Sequence, residues 1–288
     1  MEYLIHLAIL VALYSILAVS LNLIIGYTGM LSVAHAGFYG LGAYAVGLLT
    51  KNLGFDFFSA MLFGILLVGV VSLVIGYILS RLKGDYFALA SFGFNIIIFS
   101  ILLNWQSVTN GPLGVYGIER PSMFGFSLQE NFYFLLLSAF SAIAVYYFAE
   151  FLTKSSFGRI LQGIREDEVM VSTFGYKTIN YKLTIFVIGS VIASIAGGLY
   201  ASYISFIDPS SFSLNESLFI LAIIILGGLS SNKGAVLGAT FMILLPELLR
   251  FVGLPTDTAA QLRQIIYGLI LIILMIYKPQ GLLGKYRM

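Results

Sequence analysis

Long stretches without a charged residue are the feature that most constrains how this chain can fold. Residues 57–80, 86–118 and 183–207 each contain no Asp, Glu, Lys or Arg. A helix needs about 20 apolar residues to cross the hydrocarbon core of a bilayer, and each stretch is long enough. Only 10% of the 288 residues are charged, whereas soluble domains carry about 25% charged residues. The chain is therefore predicted to be an all-α protein that crosses a membrane several times.

The apolar runs, and the breakers between them, predict about nine transmembrane helices, with eight to ten compatible with the pattern. The predicted spans lie near residues 3–25, 30–50, 58–80, 86–104, 131–152, 183–206, 217–230, 234–250 and 259–277. The first run lacks the basic start and the cleavage site of a signal peptide, so we expect it to remain as the first span. Residues 1–288 are predicted to form a single transmembrane domain.

The distribution of Lys and Arg predicts the orientation of these spans. If the C-terminus is cytoplasmic, eleven of the 15 Lys and Arg residues lie inside, and the remainder are Lys51, Arg120, Arg250 and Arg263. Cytoplasmic loops of membrane proteins are enriched in positive residues. We therefore expect a multi-pass protein of the cell membrane with its N-terminus outside and its C-terminus in the cytoplasm.

The second predicted span is unusually rich in glycine. Residues 26–47 contain six glycines, which fits either two helices in close contact or a broken helix that lines a cavity. A later stretch, residues 228–239, has a similar order of glycine, serine and alanine. This fainter similarity suggests an internal repeat.

The loop between the fifth and sixth spans, residues 153–182, is where charges cluster. It contains five basic and three acidic residues. Apolar residues recur in it at helical spacing, and a glycine follows at residue 175, where a helix commonly ends. We predict one amphipathic helix over residues 158–175 at the cytoplasmic surface. This helix either connects two spans or presents the polar run at residues 165–168 to a partner subunit.

The order of residues in this loop resembles a known family. Four parts of the chain carry the similarity: LNLIIGYTGMLSVAHAGFYGLGAY; KGDYFALASFGF with the later TNGPLGVYGI; GRILQGIREDEVMVSTFGYKTINYKLTIFVIGSVIASIAGGLYA; and FILAIIILGGLSSNKGAVLGATFMILLPELLR. They are similar to the LivM-type permeases of branched-chain amino acid ABC importers. Together they cover most of the chain in the family's order.

The resemblance implies a permease subunit that brings branched-chain or other hydrophobic amino acids into the cytoplasm. It also implies a LivH-like second permease, two cytoplasmic ATPases and an extracytoplasmic substrate-binding protein as partners. The loop would be the segment held by an ATPase, through Gly158, Arg159, Arg165, Glu166, Asp167, Glu168 and Gly175. Residues 169–173 are bulkier than in much of the family, a difference that bears on the fit to the ATPase. Urea or another small amide remains an alternative cargo.

The sequence contains no motif for nucleotide hydrolysis. A P-loop has the pattern G-x-x-x-x-G-K-[ST], and no stretch matches it. His6 and His35 are the only imidazoles and lie on different predicted spans, and there is no Cys. We therefore expect no enzyme activity, metal or cofactor in this chain, with ATP and Mg²⁺ bound by partner subunits.

Polar side chains within the predicted spans are candidates for a translocation path. Asn22, Ser32, His35 and Asn95 belong here, because a polar group in lipid is costly unless it finds a partner or water. They either form interhelical hydrogen bonds or line a polar route for the cargo. A secondary transporter or channel for small polar solutes is the alternative function. It would need an ionisable residue near the midplane, whereas Asp and Glu are predicted in loops or near span ends.

Overall fold

The structure is a computed structural model that describes residues 2–123, 126–127, 130–250, 268–269 and 280–284. The predicted ninth span, residues 259–277, lies outside the described residues except at 268 and 269. The helices are α1 Glu2–Thr28, α2 His35–Leu53, α3 Phe57–Leu79, α4 Asp85–Asn104, α5 Gln106–Thr109, α6 Asn131–Lys154, α7 Ser156–Glu166, α8 Glu168–Thr173, α9 Thr178–Ile204, α10 Leu214–Gly227 and α11 Asn232–Arg250. The strands are β1 Val115–Tyr116, β2 Ser122–Met123, β3 Phe126–Ser127 and β4 Phe206–Ile207, and 3-10 turns cover Gly111–Leu113 and Pro209–Phe212. β1 pairs with β4 and β2 with β3, both antiparallel.

Five of the described helices are long and apolar enough to cross a membrane: α1, α3, α4, α6 and α9. A sixth candidate is the pair α10 and α11, which is bent by 119° at the break between them. α2 coincides with the second predicted span but is not among these candidates, because glycine and polar residues lower its hydropathy. The prediction of an all-α polytopic membrane protein is confirmed. The predicted number of nine spans is not.

The helices form an inner group and an outer group. In α1 and α9, 78% and 61% of the most apolar window is buried, whereas the values for α3, α4 and α6 are 33%, 28% and 22%. α1 contacts α6, α9, α10 and α11, and α2 packs mainly against α9 and α3. Large apolar side chains on α3, α4 and α6 are exposed. Such side chains suit a surface that faces lipid or another membrane subunit.

Glycines bring α2 and α9 into close contact. A Cβ added to Gly42 would lie 2.4 Å from the carbonyl oxygen of Ser194, and one added to Gly197 would lie 2.1 Å from that of Tyr39. Neither distance leaves room for a side chain, so the two backbones touch at both positions. Of the two interpretations of the glycine-rich second span, close packing is confirmed for α2. α2 itself is continuous from His35 to Leu53, and the break at residues 29–34, which are not helical, lies between α1 and α2.

α10 and α11 meet at an elbow, residues 228–231. α10 has 14 residues, fewer than the about 20 needed to cross a bilayer, and the 119° bend turns α11 back rather than extending α10. Gly228 and Ser230 adopt positive φ angles of 107° and 61° at this turn. Two amides of segment 280–284 donate to carbonyl oxygens at the end of α10. Both similar glycine-containing stretches thus fold as helix, break and helix, and the internal repeat remains a prediction.

Loops predicted on the same side of the membrane lie together in the structure. Arg165 in the charged loop contacts the end of α1 and the elbow, which are both predicted inside. Among the segments predicted outside, β1 pairs with β4, and the Nζ atom of Lys51 lies 4.0 Å from the ring centre of Tyr116. This grouping agrees with the predicted division of the loops between the two sides of the membrane. The assignment of one side to the cytoplasm stays a prediction.

Candidate functional site

The charged loop folds into two short helices instead of the single helix predicted over residues 158–175. α7 and α8 are separated by Asp167, which is extended with φ −155° and ψ 100°. Its Oδ1 atom accepts hydrogen bonds of 2.9 Å from the amides two and three residues ahead. This N-cap geometry starts a new helix and ends the preceding one. The prediction of one continuous helix is therefore wrong, although Gly175 does follow the last helical turn, with φ 87°.

α7 begins with a tight turn from the end of α6. The hydroxyl of Ser155 accepts a hydrogen bond from the amide of Gly158 at 3.4 Å. A Cβ added to Gly158 would lie 2.2 Å from the carbonyl oxygen of Thr153, so this turn requires glycine. Arg159 is exposed and donates to the carbonyl oxygen of Lys154 at 3.3 Å. The structure thus gives Gly158 a packing role inside this chain and leaves Arg159 on the surface.

Arg165 turns into the protein, with its side chain only 12% exposed. Its Nη1 atom donates to the carbonyl oxygen of Gly26 at 2.5 Å, near the end of α1, and to the hydroxyl of Ser230 in the elbow. The Nε and Nη2 atoms donate to the carboxylate of Glu166, whose side chain is 59% exposed. The guanidinium group therefore bridges α7 to α1 and the elbow. The negative end of the α1 helix dipole favours a cation at this position.

Further polar contacts around Arg165 join α1 to the elbow. Asn22 accepts a hydrogen bond from the amide of Ser230 at 3.1 Å and donates to the side chain of Asn232 at 3.1 Å. The hydroxyl of Ser230 donates to the carbonyl oxygen of Gly26 at 2.5 Å, and that of Tyr27 donates to the carbonyl oxygen of Ser230 at 3.1 Å. Asn22 and Ser230 are buried, and buried polar groups require such partners. Asn22, a candidate for the translocation path, thus belongs to the elbow network.

Glu168 also turns inward, towards the start of α9. Both of its carboxylate oxygens accept hydrogen bonds from Lys182 at 2.9 Å, and the hydroxyl of Thr178 donates to one of them at 3.0 Å. Partial burial raises the pKa of Glu168, but the hydrogen bonds and the charge of Lys182 outweigh it and lower the pKa below its ordinary value. The ion pair therefore anchors α8 to α9.

The loop exposes several large apolar side chains beside its charged and polar ones. Val169, Met170 and Phe174 are 65%, 58% and 72% exposed. Phe174 helps to line a cleft of 380 Å³ between α7 and the residues after α8. Of the four charged residues predicted at the contact with a partner, Glu166 and Asp167 remain exposed. Arg165 and Glu168 instead form hydrogen bonds to other residues of this chain, as described above.

A polar cavity of 560 Å³ lies beside Arg165, between the ends of α1 and α6 and the elbow. Lys154, Lys233 and Glu150 are among the residues that line it. Glu150 pairs with Lys154 at 2.9 Å and accepts a hydrogen bond from Asn232 at 3.2 Å. The cavity therefore gives water or a polar solute access to the network around the elbow.

His35, Ser32 and Asn95 are buried polar residues near the start of α2. The Nε2 atom of His35 lies 2.6 Å from the hydroxyl of Ser20. In the described part of the chain, the Nδ1 atom of His35, the hydroxyl of Ser32 and both amide atoms of Asn95 have no hydrogen-bond partner, although all three residues are buried. A Cβ on Gly37 would lie 3.1 Å from the Oδ1 atom of Asn95, so the amide faces α2. These three residues remain candidates for a polar path, because buried polar groups normally require partners.

Sequence patterns did not identify two partners in this site, Ser230 and Lys182. Ser230 is 65 residues from Arg165 along the chain, and Lys182 is 14 residues from Glu168. Helical spacing reveals neighbours three or four residues apart, but not pairs that lie on different elements. One feature of the sequence does point to a turn at Ser230. It lies between Gly228 and Asn232 in an otherwise apolar stretch, and glycine, serine and asparagine are common in turns.

The helices and the polar groups together define a class of protein: a polytopic all-α membrane protein whose polar two-helix loop is tied to the elbow between two membrane helices. The chain belongs to the family described as "Branched-chain amino acid transport system / permease component", whose model matches residues 3–275. The resemblance to LivM-type permeases is thereby confirmed. The family is one of transport permeases.

The chain is similar to permeases of two kinds. It is 31% identical to the high-affinity branched-chain amino acid transport system permease protein LivM of Escherichia coli (strain K12), with 98% of this chain and 70% of that protein covered. It is 28% identical to the probable branched-chain amino acid transport permease protein LivM of Methanocaldococcus jannaschii, with 95% and 91% covered. Identity to the permease protein LivH of Salmonella typhimurium is 26%, with 94% and 91% covered. No solved structure matches the chain.

Proposed function

We propose that the chain is a membrane subunit of an ABC importer that carries branched-chain or other hydrophobic amino acids into the cytoplasm. Membership of the permease family supports the transport role, and the names of the relatives support the cargo. In this proposal two cytoplasmic ATPase subunits bind Mg²⁺ and hydrolyse ATP. The N-terminus lies outside and the C-terminus in the cytoplasm, as the distribution of positive residues predicts.

Two further partners complete the proposed transporter. Similarity to both LivM and LivH proteins supports a pair of related permeases in the membrane. We therefore assign the second membrane position to a LivH-like subunit. A substrate-binding protein outside the membrane delivers the cargo, and ligand selectivity rests largely with that protein.

The exposed surface of α7 and α8 is the observation that carries the proposal. We define a docking surface by Val169, Met170 and Phe174, with Glu166 and Asp167 at its edge; these side chains are exposed. A cluster of exposed apolar side chains in a polar loop marks a surface that contacts a partner. We assign this surface to the ATPase, with the acidic residues at its edge contributing to the choice of partner.

Copurification of a co-expressed ATPase tests the docking surface. The double variant Met170→Glu with Phe174→Glu should copurify with about tenfold less ATPase than the wild type, or less still. A carboxylate buried in an apolar interface is strongly unfavourable. The control is Leu113→Glu, at a residue that is 82% exposed and predicted on the opposite side of the membrane. The control should retain the ATPase. If the double variant copurifies with as much ATPase as the wild type does, the docking surface is refuted.

A further inference from the structure

We propose that Arg165 is a positioning residue that transmits movement of α7 to the elbow and to the end of α1. The inference rests on the function proposed above. It concerns the route by which a movement of the ATPase reaches the membrane helices.

One side chain connects α7 to two membrane elements. The Nη1 atom of Arg165 donates both to the carbonyl oxygen of Gly26 and to the hydroxyl of Ser230, and that hydroxyl donates to the same carbonyl oxygen. In the described chain, α7 packs against α1, α6, α8 and α9 but has no extensive contact with α10 or α11. Arg165 therefore connects α7 directly to the elbow.

Arg165 also lies against the first break, residues 29–34. A Cβ added to Gly29 would lie 3.0 Å from the Cγ atom of Arg165. Gly29 has a φ of 72°, so glycine is favoured there for its conformation as well as for space. The break after α1 and the elbow after α10 thus meet the same side chain. A shift of α7 therefore moves the Arg165 side chain, which contacts both the break after α1 and the elbow.

The elbow is the part of this network best suited to change its shape. It contains two residues with positive φ, Gly228 and Ser230, and serine adopts this conformation only infrequently. The hydrogen bonds of Ser230 to Arg165, Gly26 and Asn22 hold it there. Residues kept in unfavourable conformations by their surroundings occur at switch regions. The contacts of Arg165 therefore favour the observed arrangement of the elbow over others.

The guanidinium group is also connected to the docking surface. Its Nε and Nη2 atoms donate to Glu166 at 3.2 and 2.9 Å, and Glu166 lies at the edge of that surface. A partner that engages Glu166 changes the electrostatic environment of Arg165 directly. The proposed route therefore runs from the docking surface through Glu166 and Arg165 to the elbow.

The ratio of amino acid imported to ATP hydrolysed tests this role in proteoliposomes that hold the complete transporter with its binding protein. Arg165→Ala should lower the ratio about tenfold, because hydrogen bonds to a charged donor are among the stronger ones in proteins. ATPase retention should not change, since Arg165 lies behind the docking surface. Arg165→Lys keeps a cation that can donate to Gly26 but loses the planar group that also reaches Ser230 and Glu166, so it should recover only part of the ratio.

Ser230→Gly removes the hydroxyl group without demanding an unfavourable backbone. A φ of 61° suits glycine, so this variant should still fold, and the loss of the hydroxyl contacts should lower the import ratio. Ser205→Gly is the matched control, because Ser205 has a φ of 58° and lies near β4 on the predicted outer side. The control should leave the ratio unchanged.

Two results overturn the positioning role while leaving the proposed function intact. One is a wild-type ratio in both Arg165→Ala and Ser230→Gly. The other is loss of ATPase retention in both variants, which would place Arg165 in the docking contact itself. If the wild-type transporter shows no ATP-dependent import, the proposed function fails, and the positioning role fails with it.

Discussion

At the scale of single residues, the loop depends on the pairing of its buried charges. Lys182 is 5% exposed, and its ammonium group lies 2.9 Å from both carboxylate oxygens of Glu168. An ammonium group at such a site is strongly unfavourable without a counter-ion. The pair therefore fixes the position of α8 against α9, and with it the position of the docking surface.

We expect Glu168→Ala to lower the free energy of unfolding by about 3 kcal/mol, because Lys182 then remains buried without its partner. The double variant Glu168→Ala with Lys182→Met should regain most of the loss. Thermal unfolding in detergent measures both. Since pairing lowers the pKa of Glu168, its contribution is complete above the ordinary value of 4.5 and is lost as the pH falls through the lower folded-state pKa. Equal losses in the single and double variants would contradict the account.

At the scale of elements, apolar runs predict helices well and polar contacts decide where they end. The runs near residues 3–25 and 131–152 lie within α1 and α6. The single helix expected over residues 158–175 is two helices, because the side chain of Asp167 caps α8 and competes with continuation of α7. Helical spacing contains no information on this competition. For the same reason, helical spacing does not predict that the side chains of Arg165 and Glu168 point into the protein.

The contact between α2 and α9 gives a prediction at the same scale. Gly197→Ala should lower the unfolding temperature clearly, because its Cβ would lie 2.1 Å from the carbonyl oxygen of Tyr39 and the helices must separate. Gly93→Ala in α4 is the control, since a Cβ there meets nothing within 4 Å. Detergent unfolding curves compare the two. A similar effect of both substitutions would show that close packing does not set this contact.

At the scale of the whole molecule, both helix breaks, the polar cavity and the charged loop lie together at one end of the buried helix α1. Composition and charge distribution indicate the class of protein and the grouping of its loops. They do not indicate that the two breaks meet at one side chain, because that contact joins segments distant along the chain. His35 and Asn95, with Ser32 in the first break, are the remaining candidates for the path of the cargo.

Asn95→Leu separates a path from a packing role. If Asn95 lines the path, the substitution removes a buried amide without a partner among the described residues, so the unfolding temperature should stay equal or rise while import falls. An interhelical hydrogen bond predicts the opposite, a lower unfolding temperature. Detergent unfolding and uptake measured on the same preparation decide between the two roles.

The central claim is that this chain moves amino acids across the membrane with energy from a separate ATPase bound to α7 and α8. The most direct measurement is uptake of radiolabelled leucine into proteoliposomes that contain this chain, a LivH-like permease and the ATPases, with binding protein outside and ATP inside. We predict uptake that requires ATP, is competed by isoleucine and valine, and is abolished by Met170→Glu with Phe174→Glu. Uptake by this chain alone without ATP, or ATP-driven uptake of urea in place of leucine, would contradict the account.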